Sequence, residues 1–207
     1  MGRSLHATWL GRVPYVDAWR LQEAVATRVR DGGTERLLLL EHDPVYTIGR
    51  RGTTDHLLVA PDVLRAAGAS VYRVDRGGDI TYHGPGQLVG YPITAFAEGA
   101  DLVGYVRAIE EALRDALASY GVASRTERGK TGVWVDLPDG RPAKIGAIGV
   151  RVSRGSSCTV ICPDASTVSM MNLSVNPFII AVIAMNIVTE IVTPATQTSD
   201  CRRCASR

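Results

Sequence analysis

The segment from Arg76 to Ile93 restricts the fold more than any other part of the chain. Its 18 residues include five glycines and two prolines. Glycine costs backbone entropy, so a chain carries this many where the backbone bends unusually or lies close to a ligand. An apolar run at 70–74 precedes the glycines, and an alternating run at 87–93 follows them. The pattern therefore predicts a loop between two strands.

Three side chains with hydrogen-bond donors stand among these glycines: Arg76, Thr81 and His83. Such donors suit a carbonyl, a carboxylate or a phosphate group of a ligand. The alternative is a tight glycine-rich connection that binds nothing. On the residues alone, the ligand-binding loop is the favoured interpretation.

Length and charge limit the class of protein. At 207 residues the default is one domain with a sizeable core, and a net charge of +2 gives no electrostatic case for a nucleic-acid partner. The start of the sequence lacks the apolar stretch of a signal peptide. The longest apolar run, at 178–188, is too short to span a bilayer. These features predict a soluble cytoplasmic protein without a membrane partner.

The composition changes sharply near Arg154. Residues 1–154 hold 20 of the 21 glycines and 20 of the 23 lysines and arginines, whereas all four cysteines follow this point. Such a break predicts a domain at 1–154 and an atypical segment at 155–207. Fifty-three residues are few for a separate core.

Before the break, helical and strand patterns follow one another. Helices are predicted at 14–30 and 61–67, and a third begins after the N-cap residue Asp101 and ends at Gly121. Strands are predicted at 36–41, 132–136 and 143–152, the last two as a hairpin. This mixture favours an α+β fold over a doubly wound parallel sheet.

Lys144 lies in the last of these strands, between apolar residues and glycines. A partly buried lysine suits proton transfer or contact with an anion. The alternative is a lysine on an edge strand that faces water and prevents aggregation. The sequence does not decide between these interpretations.

The sequence contains no phosphate-binding P-loop, and its glycine pattern is not that of a dinucleotide fold.

Three blocks of sequence, at 40–50, 76–93 and 144–149, resemble the octanoyltransferases of lipoate biosynthesis. The resemblance covers residues 5 to about 154. It implies an α+β domain of the biotin/lipoate protein ligase type, with a mixed sheet and packed helices. It also implies transfer of an octanoyl group from octanoyl-acyl carrier protein, through a cysteine thioester and without a cofactor. The implied acceptors are lysines of lipoyl domains in 2-oxoacid dehydrogenases and in the glycine cleavage H protein.

The resemblance also implies roles for individual residues. Lys144 would lower the pKa of the nucleophilic cysteine, as a nearby ammonium does for a thiolate. The octanoyl pocket would be lined by two stretches: Arg76, Gly77, Gly78, Asp79, Ile80, Thr81, Tyr82 and His83 in the first, and Ala147, Ile148 and Gly149 in the second.

The sequence departs from the family pattern after the lysine strand. The pattern places a His-Gly strand near 158–160 and the nucleophile about 34 residues after the lysine, where this chain has Cys-Thr-Val and Phe178. The nucleophilic cysteine is therefore absent from its expected position. A shifted reading frame or a disordered segment would explain the change in composition, and a recombination or truncation is the alternative.

The four cysteines allow two further interpretations. The pairs at 158/162 and 201/204 could supply four thiolates for a structural zinc, but only the second pair has finger-like spacing. Unpaired thiols are favoured, so no metal is expected.

Two alternative functions stay open, namely a non-catalytic protein that binds acyl groups or lipoyl domains, and an ATP-dependent lipoate-protein ligase.

Overall fold

A computed structural model of the chain describes residues 5–97, 99–153 and 156–163, with the backbone alone from residue 153 onward. The described strands are β1 (Leu5–Arg12), β2 (Glu35–Glu41), β3 (Val45–Ile48), β4 (Ser70–Arg73), β5 (Ile80–His83), β6 (Val89–Ala95), β7 (Val133–Asp136), β8 (Pro142–Ser153) and β9 (Ser156–Pro163). The helices are α1 (Tyr15–Arg30), α2 (Pro61–Ala66) and α3 (Leu102–Ser119), with a 3-10 turn at Thr54–His56. The predicted α+β class is confirmed.

Six strands form a mixed sheet in the order β1-β2-β6-β9-β8-β7, in which β1 and β2 are parallel and the other pairs antiparallel. The four consecutive leucines of β2 explain why both faces of this sheet are covered. Leu37 and Leu39 pack into a core with α3, while Leu38 and Leu40 pack into a second core with α1. A strand buried on both faces is apolar without alternation, as this one is.

A second sheet has three strands in the order β4-β3-β5. The parallel pair β3 and β4 is joined through α2, whereas β5 runs antiparallel to β3. The prediction of a continuous loop from Arg76 to the strand at 87–93 is therefore wrong at Ile80–His83. Glycines before and after this segment concealed three residues with good strand propensity, Ile80, Thr81 and Tyr82, and the strand completes its hydrogen bonds on β3.

Helix boundaries agree with the signals in the sequence. The Asp101 side chain accepts hydrogen bonds from the backbone N–H groups of Val103 and Gly104 at the start of α3, as an N-cap does. At the end of α1, Gly32 has a φ of +88°, a conformation that favours glycine. The hairpin of β7 and β8 is present as predicted.

The six-stranded sheet continues past the break in composition. Strand β9 lies between β6 and β8, and its register pairs Cys162 with Ala147 and Cys158 with both Ile93 and Arg151. Residues 164–207, which include Phe178, Cys201 and Cys204, lie outside the described residues. The division of the chain near Arg154 stays a prediction.

None of the helices within the described ranges is long and apolar enough to cross a bilayer.

Candidate functional site

The Arg76 side chain is the centre of a compact cluster between the two sheets, here called the Arg76 cluster, which it forms with Thr47 and Gly77. It is only 7% exposed. Its Nη2 atom donates hydrogen bonds to the Thr47 backbone oxygen at 2.7 Å and to Thr47 Oγ1 at 2.8 Å, and Nη1 donates to the Gly77 oxygen at 2.9 Å. Several of the donors that the sequence offered to a ligand therefore bind the protein itself, and the guanidinium organises the loop from inside.

Two loops join above this guanidinium. The backbone N–H groups of Gly49, Arg50 and Arg51 donate to the oxygens of Asp79, Arg76 and Gly78, respectively, at 2.9–3.2 Å. A Cβ atom on Gly49 would lie 2.6 Å from the Gly78 oxygen, so this approach requires glycine. The close contact makes residues 49–51 and 76–79 one unit.

His83 is buried beside this unit. Its Nδ1 atom lies 2.9 Å from Gln87 Oε1, an acceptor, so Nδ1 carries the proton and Nε2 is left as the acceptor of a neutral ring. Burial is the main cause that lowers the pKa of His83 to about 3; the hydrogen bond with Gln87 opposes the shift, and the nearby His42 and Arg76 contribute to it. His83 is therefore neutral at physiological pH, and its Nε2 atom can accept a hydrogen bond.

A second buried histidine supports the first. The rings of His42 and His83 meet edge to face, with centroids 5.8 Å apart. His42 Nδ1 donates to the Val13 oxygen at 2.8 Å, and Nε2 lies 2.7 Å from the Tyr91 hydroxyl, which therefore donates to it. Burial is the main cause that lowers the pKa of His42. His42 and His83 thus form a pair of buried, neutral, hydrogen-bonded rings next to the loop at 76–79.

Strand β8 supplies the opposite side of the cluster. A Cβ atom on Gly149 would lie 3.1 Å from Arg76 Cδ, and Gly77 N–H donates to the Val150 oxygen at 3.4 Å. Ala147 packs into the α1 core on the same face, whereas Ile148 packs into the α3 core on the other. The structure thus brings Gly149 to the loop, with Ala147 on the same face of β8, and turns the Ile148 side chain away.

The side chains of β5 also alternate between the two faces of their sheet. Thr81 pairs with Thr47, so its side chain shares a face with the Thr47 hydroxyl that binds Arg76, and the side chain of His83, two residues later, lies on the same face. Tyr82 lies on the opposite face, with its ring 5.0 Å from that of Tyr46. Ile80 pairs with Ile48 in the same strand register.

Asp79 lies at the outer edge of the loop. Its Oδ2 atom is 2.6 Å from Nδ1 of the exposed His56. The Asp79 side chain therefore does not reach the cluster around Arg76.

Lys144 is half-buried on an inner strand of the sheet, since β8 lies between β9 and β7. The edge-strand alternative is therefore wrong. A bulge between the pairs Val133–Gly146 and Trp134–Lys144 resets the alternation of β8. As a result Lys144 shares a face with Ala147 and Gly149, roughly 16 Å of strand before Gly149. The Lys144 ammonium at one end of this face, and glycines with the neutral His83 ring at the other, suit an elongated ligand with one polar end.

A surface cleft opens beside Arg76 on the side of α1. It is lined by Tyr15, Trp19, Gln22, Val74, Asp75, Arg76 and Arg151. Arg76 is the only predicted site residue among them. Two of the lining residues, Arg151 and Asp75, form an ion pair at 2.7 Å.

Sequence reasoning missed the side chains that hold the site residues in place, namely Thr47, Gln87, Tyr91 and Trp134. The signals were weak, because a threonine, a glutamine or a tyrosine in a strand is common. His42 and Thr47 lie inside the block at 40–50 and could have been found there. Among the residues that the structure describes, no group of three or more histidines, cysteines or acidic residues is placed to hold a metal.

The sequence model of the lipoyl protein ligase A/B catalytic domain matches residues 14–170, about three quarters of the chain. The chain belongs to this family. Its match includes the Arg76 cluster, Lys144 and the whole of β9. The chain also resembles curated relatives, including the octanoyltransferase of Mycolicibacterium gilvum (strain PYR-GCK), which is 49% identical over 150 residues. That match covers 72% of this chain, and the chain spans only 60% of the relative's length.

Solved structures confirm the fold of this lipoyl protein ligase A/B family member. A bipartite lipoate protein ligase from Thermoplasma acidophilum has a TM-score of 0.69 at 17% identity and covers 92% of this chain and 84% of its own. A lipoate-protein ligase A bound with ATP has a TM-score of 0.67, also at 17% identity, over 92% of this chain and 86% of its own. The prediction of a lipoate-ligase-type catalytic fold is confirmed.

Proposed function

We propose that the chain is an acyltransferase of the octanoyltransferase type. Its site would take an octanoyl group from octanoyl-acyl carrier protein and deliver it to a lysine of a lipoyl domain. The observation that carries this proposal is the 49% identity over 150 residues with a named octanoyltransferase. The resemblance stated from the three sequence blocks supports the same activity, and we expect the reaction to take place in the cytoplasm.

The geometry supports the site residues of this proposal. A saturated acyl chain gains ~0.8 kcal/mol for each methylene that it buries, and it needs an uncharged wall. His83 and the glycines at 77, 78 and 149 supply such a wall, because the His83 ring is neutral and the glycines carry no side chain. Arg76 would act by holding this wall together rather than by pairing with the acyl chain.

The polar end of the substrate would lie toward Lys144. In the two-step route of the family, a thiolate attacks the thioester carbonyl, the carrier's thiol leaves, and the target lysine's amine then displaces the protein thiol. Developing negative charge at the carbonyl oxygen is stabilised by positioned donors, which contribute ~3 kcal/mol each in acyl transfer. The Lys144 ammonium would stabilise the thiolate and so lower the pKa of the nucleophilic cysteine.

The nucleophile is the part of the proposed site in which this chain departs from the family pattern described above. Phe178 occupies the expected position, and the cysteines in β9 come earlier in the chain. We therefore expect binding of the octanoyl donor with little transfer. Donor binding with strong transfer would show that another thiol of the chain serves as nucleophile.

Incubation with octanoyl-loaded carrier protein and a lipoyl domain, followed by mass spectrometry, tests the proposal. A covalent octanoyl adduct on the chain supports the transferase, and transfer that requires ATP supports a ligase. Donor binding without either supports a binding protein.

Three variants identify the groups responsible. If no thiol acts, Lys144→Ala should leave the low transfer unchanged. A Cys158→Ala/Cys162→Ala variant that abolishes transfer would place the nucleophile in β9. His83→Ala should weaken donor binding at least tenfold, with the exposed His6→Ala as the matched control. Unchanged affinity in His83→Ala would contradict the proposed site.

A further inference from the structure

The lysines of this chain have an unusual distribution. Only two of its 23 basic residues are lysines, Lys130 and Lys144. Both ammonium groups contact the same aromatic ring, that of Trp134. Lys130 Nζ is 4.8 Å and Lys144 Nζ is 4.9 Å from its centre. Both distances are within the range of a cation–π interaction.

The two ammonium groups differ in their other contacts. Lys130 Nζ lies 2.6 Å from Glu127 Oε2, so a carboxylate neutralises its charge. In the part of the chain that the structure describes, no carboxylate pairs with Lys144. The Trp134 ring therefore orients the Lys144 ammonium without an opposite full charge.

The Trp134 indole contacts the two ammonium groups through the face of its ring. Trp134 Nε1 is buried and has no hydrogen-bond partner among the described residues. Trp134 is on the face opposite to its neighbours Val133 and Val135, which pack into the α3 core. It pairs with Lys144 across the bulge in β8, so the register brings ring and ammonium together.

A buried carboxylate fixes the loop on the other side of the lysine. Glu110 Oε1 accepts a hydrogen bond of 2.8 Å from the Gly132 N–H. Gly132 has a φ of +116°, and a Cβ atom there would lie 2.4 Å from the Gly146 oxygen and 3.4–3.5 Å from the Lys144 stem. The backbone at Gly132 thus forms a wall against the lysine stem, while Trp134 holds its end.

We propose that Trp134 is a positioning residue that holds the Lys144 ammonium on the face of the Arg76 cluster and leaves its charge free for an anion of the substrate or of the nucleophile. A carboxylate in place of the ring would neutralise this charge, whereas an aromatic ring attracts the ammonium through its quadrupole alone. The catalytic use of that charge rests on the proposed function. The contact between ring and ammonium does not, so it can be tested separately.

Nuclear magnetic resonance of the full chain after reductive methylation with ¹³C-formaldehyde tests this contact. Dimethylation keeps the positive charge, and the chain gives signals from two lysines and the amino terminus alone. Ring currents should shift both lysine methyl signals upfield, with cross-relaxation from the indole protons to each. Lys130→Arg and Lys144→Arg assign the two signals.

Trp134→Leu should return both signals to the position of free dimethyl-lysine, whereas Trp134→Phe should keep a smaller upfield shift. Trp9→Leu, which removes an exposed indole on β1, should leave both signals unchanged. The wild-type cross-relaxation requires no variant and so stands even if Trp134→Leu does not fold. Absence of cross-relaxation between Trp134 and Lys144, or an unshifted Lys144 signal in the wild type, would overturn the proposal. Neither result depends on transferase activity.

Discussion

His83 illustrates how surroundings decide what a single side chain can do. An exposed histidine changes its charge near neutral pH, but burial lowers the pKa of His83 to about 3. With Nδ1 committed to Gln87, the ring offers one acceptor atom and no charge. In a pocket for an acyl chain, this combination gives a polar contact without an ionised group that would attract water.

The lowered pKa of His83 predicts a dependence of stability on pH. The unfolded chain binds a proton at this residue below pH 6.5, whereas the folded chain does not until about pH 3. The free energy of unfolding should therefore fall with decreasing pH in this window, by roughly 2 kcal/mol between pH 8 and pH 5 for this residue. His42, whose pKa burial also lowers, acts in the same direction.

Urea unfolding of the wild type and of His83→Gln at pH 5 to 8 measures this effect. The variant should lose part of the slope, while His6→Gln controls for the removal of a histidine from an exposed site. Equal slopes in the wild type and His83→Gln would show that His83 titrates normally in the folded chain.

At the scale of single elements, the start of α3 depends on one side chain. Asp101 Oδ1 accepts from Val103 N at 3.0 Å and from Gly104 N at 2.9 Å. Asp101→Ala should lower the free energy of unfolding by about 1 kcal/mol, because two backbone N–H groups lose their partner. Asp101→Asn keeps an acceptor and should cost less in the same urea titration. A loss in Asp101→Ala no larger than in Asp101→Asn would mean that water replaces the cap.

Elements with a local signal could be predicted from the sequence. The N-cap Asp101, the glycines that end α1 and α3, and the four leucines of β2 each act within a few residues, so their patterns sufficed. Strand β5 could not be predicted, because its partner β3 lies more than 30 residues earlier. The same limit applies to the site. His83 and Arg76 stood out in the sequence, but the pairing of Lys144 with Trp134 follows from a bulge that no local pattern reveals.

At the scale of the whole molecule, β9 connects the two parts of the six-stranded sheet. It pairs with β6 on one side and with β8 on the other. A chain that ends after Arg154 would leave β6 and β8 each unpaired along one edge and separate the hairpin of Lys144 from the strands behind Arg76. We expect this truncated chain to lose cooperative unfolding and to aggregate.

A chain that ends at residue 170, where the family match ends, is the control. It keeps β9 and should unfold cooperatively. Circular dichroism during thermal unfolding compares the two chains. A cooperative transition with an unchanged midpoint in the shorter chain would show that β9 contributes little to the sheet.

The position of β9 also affects the chain during its synthesis. Translation delivers β6 and β8 before the strand that lies between them, so the sheet closes at its middle after its outer strands exist. Until residue 163 has left the ribosome, the nascent chain presents two open edges that can pair with other chains. The interval between the synthesis of β6 and that of β9 is therefore the period in which a chaperone would protect this chain most.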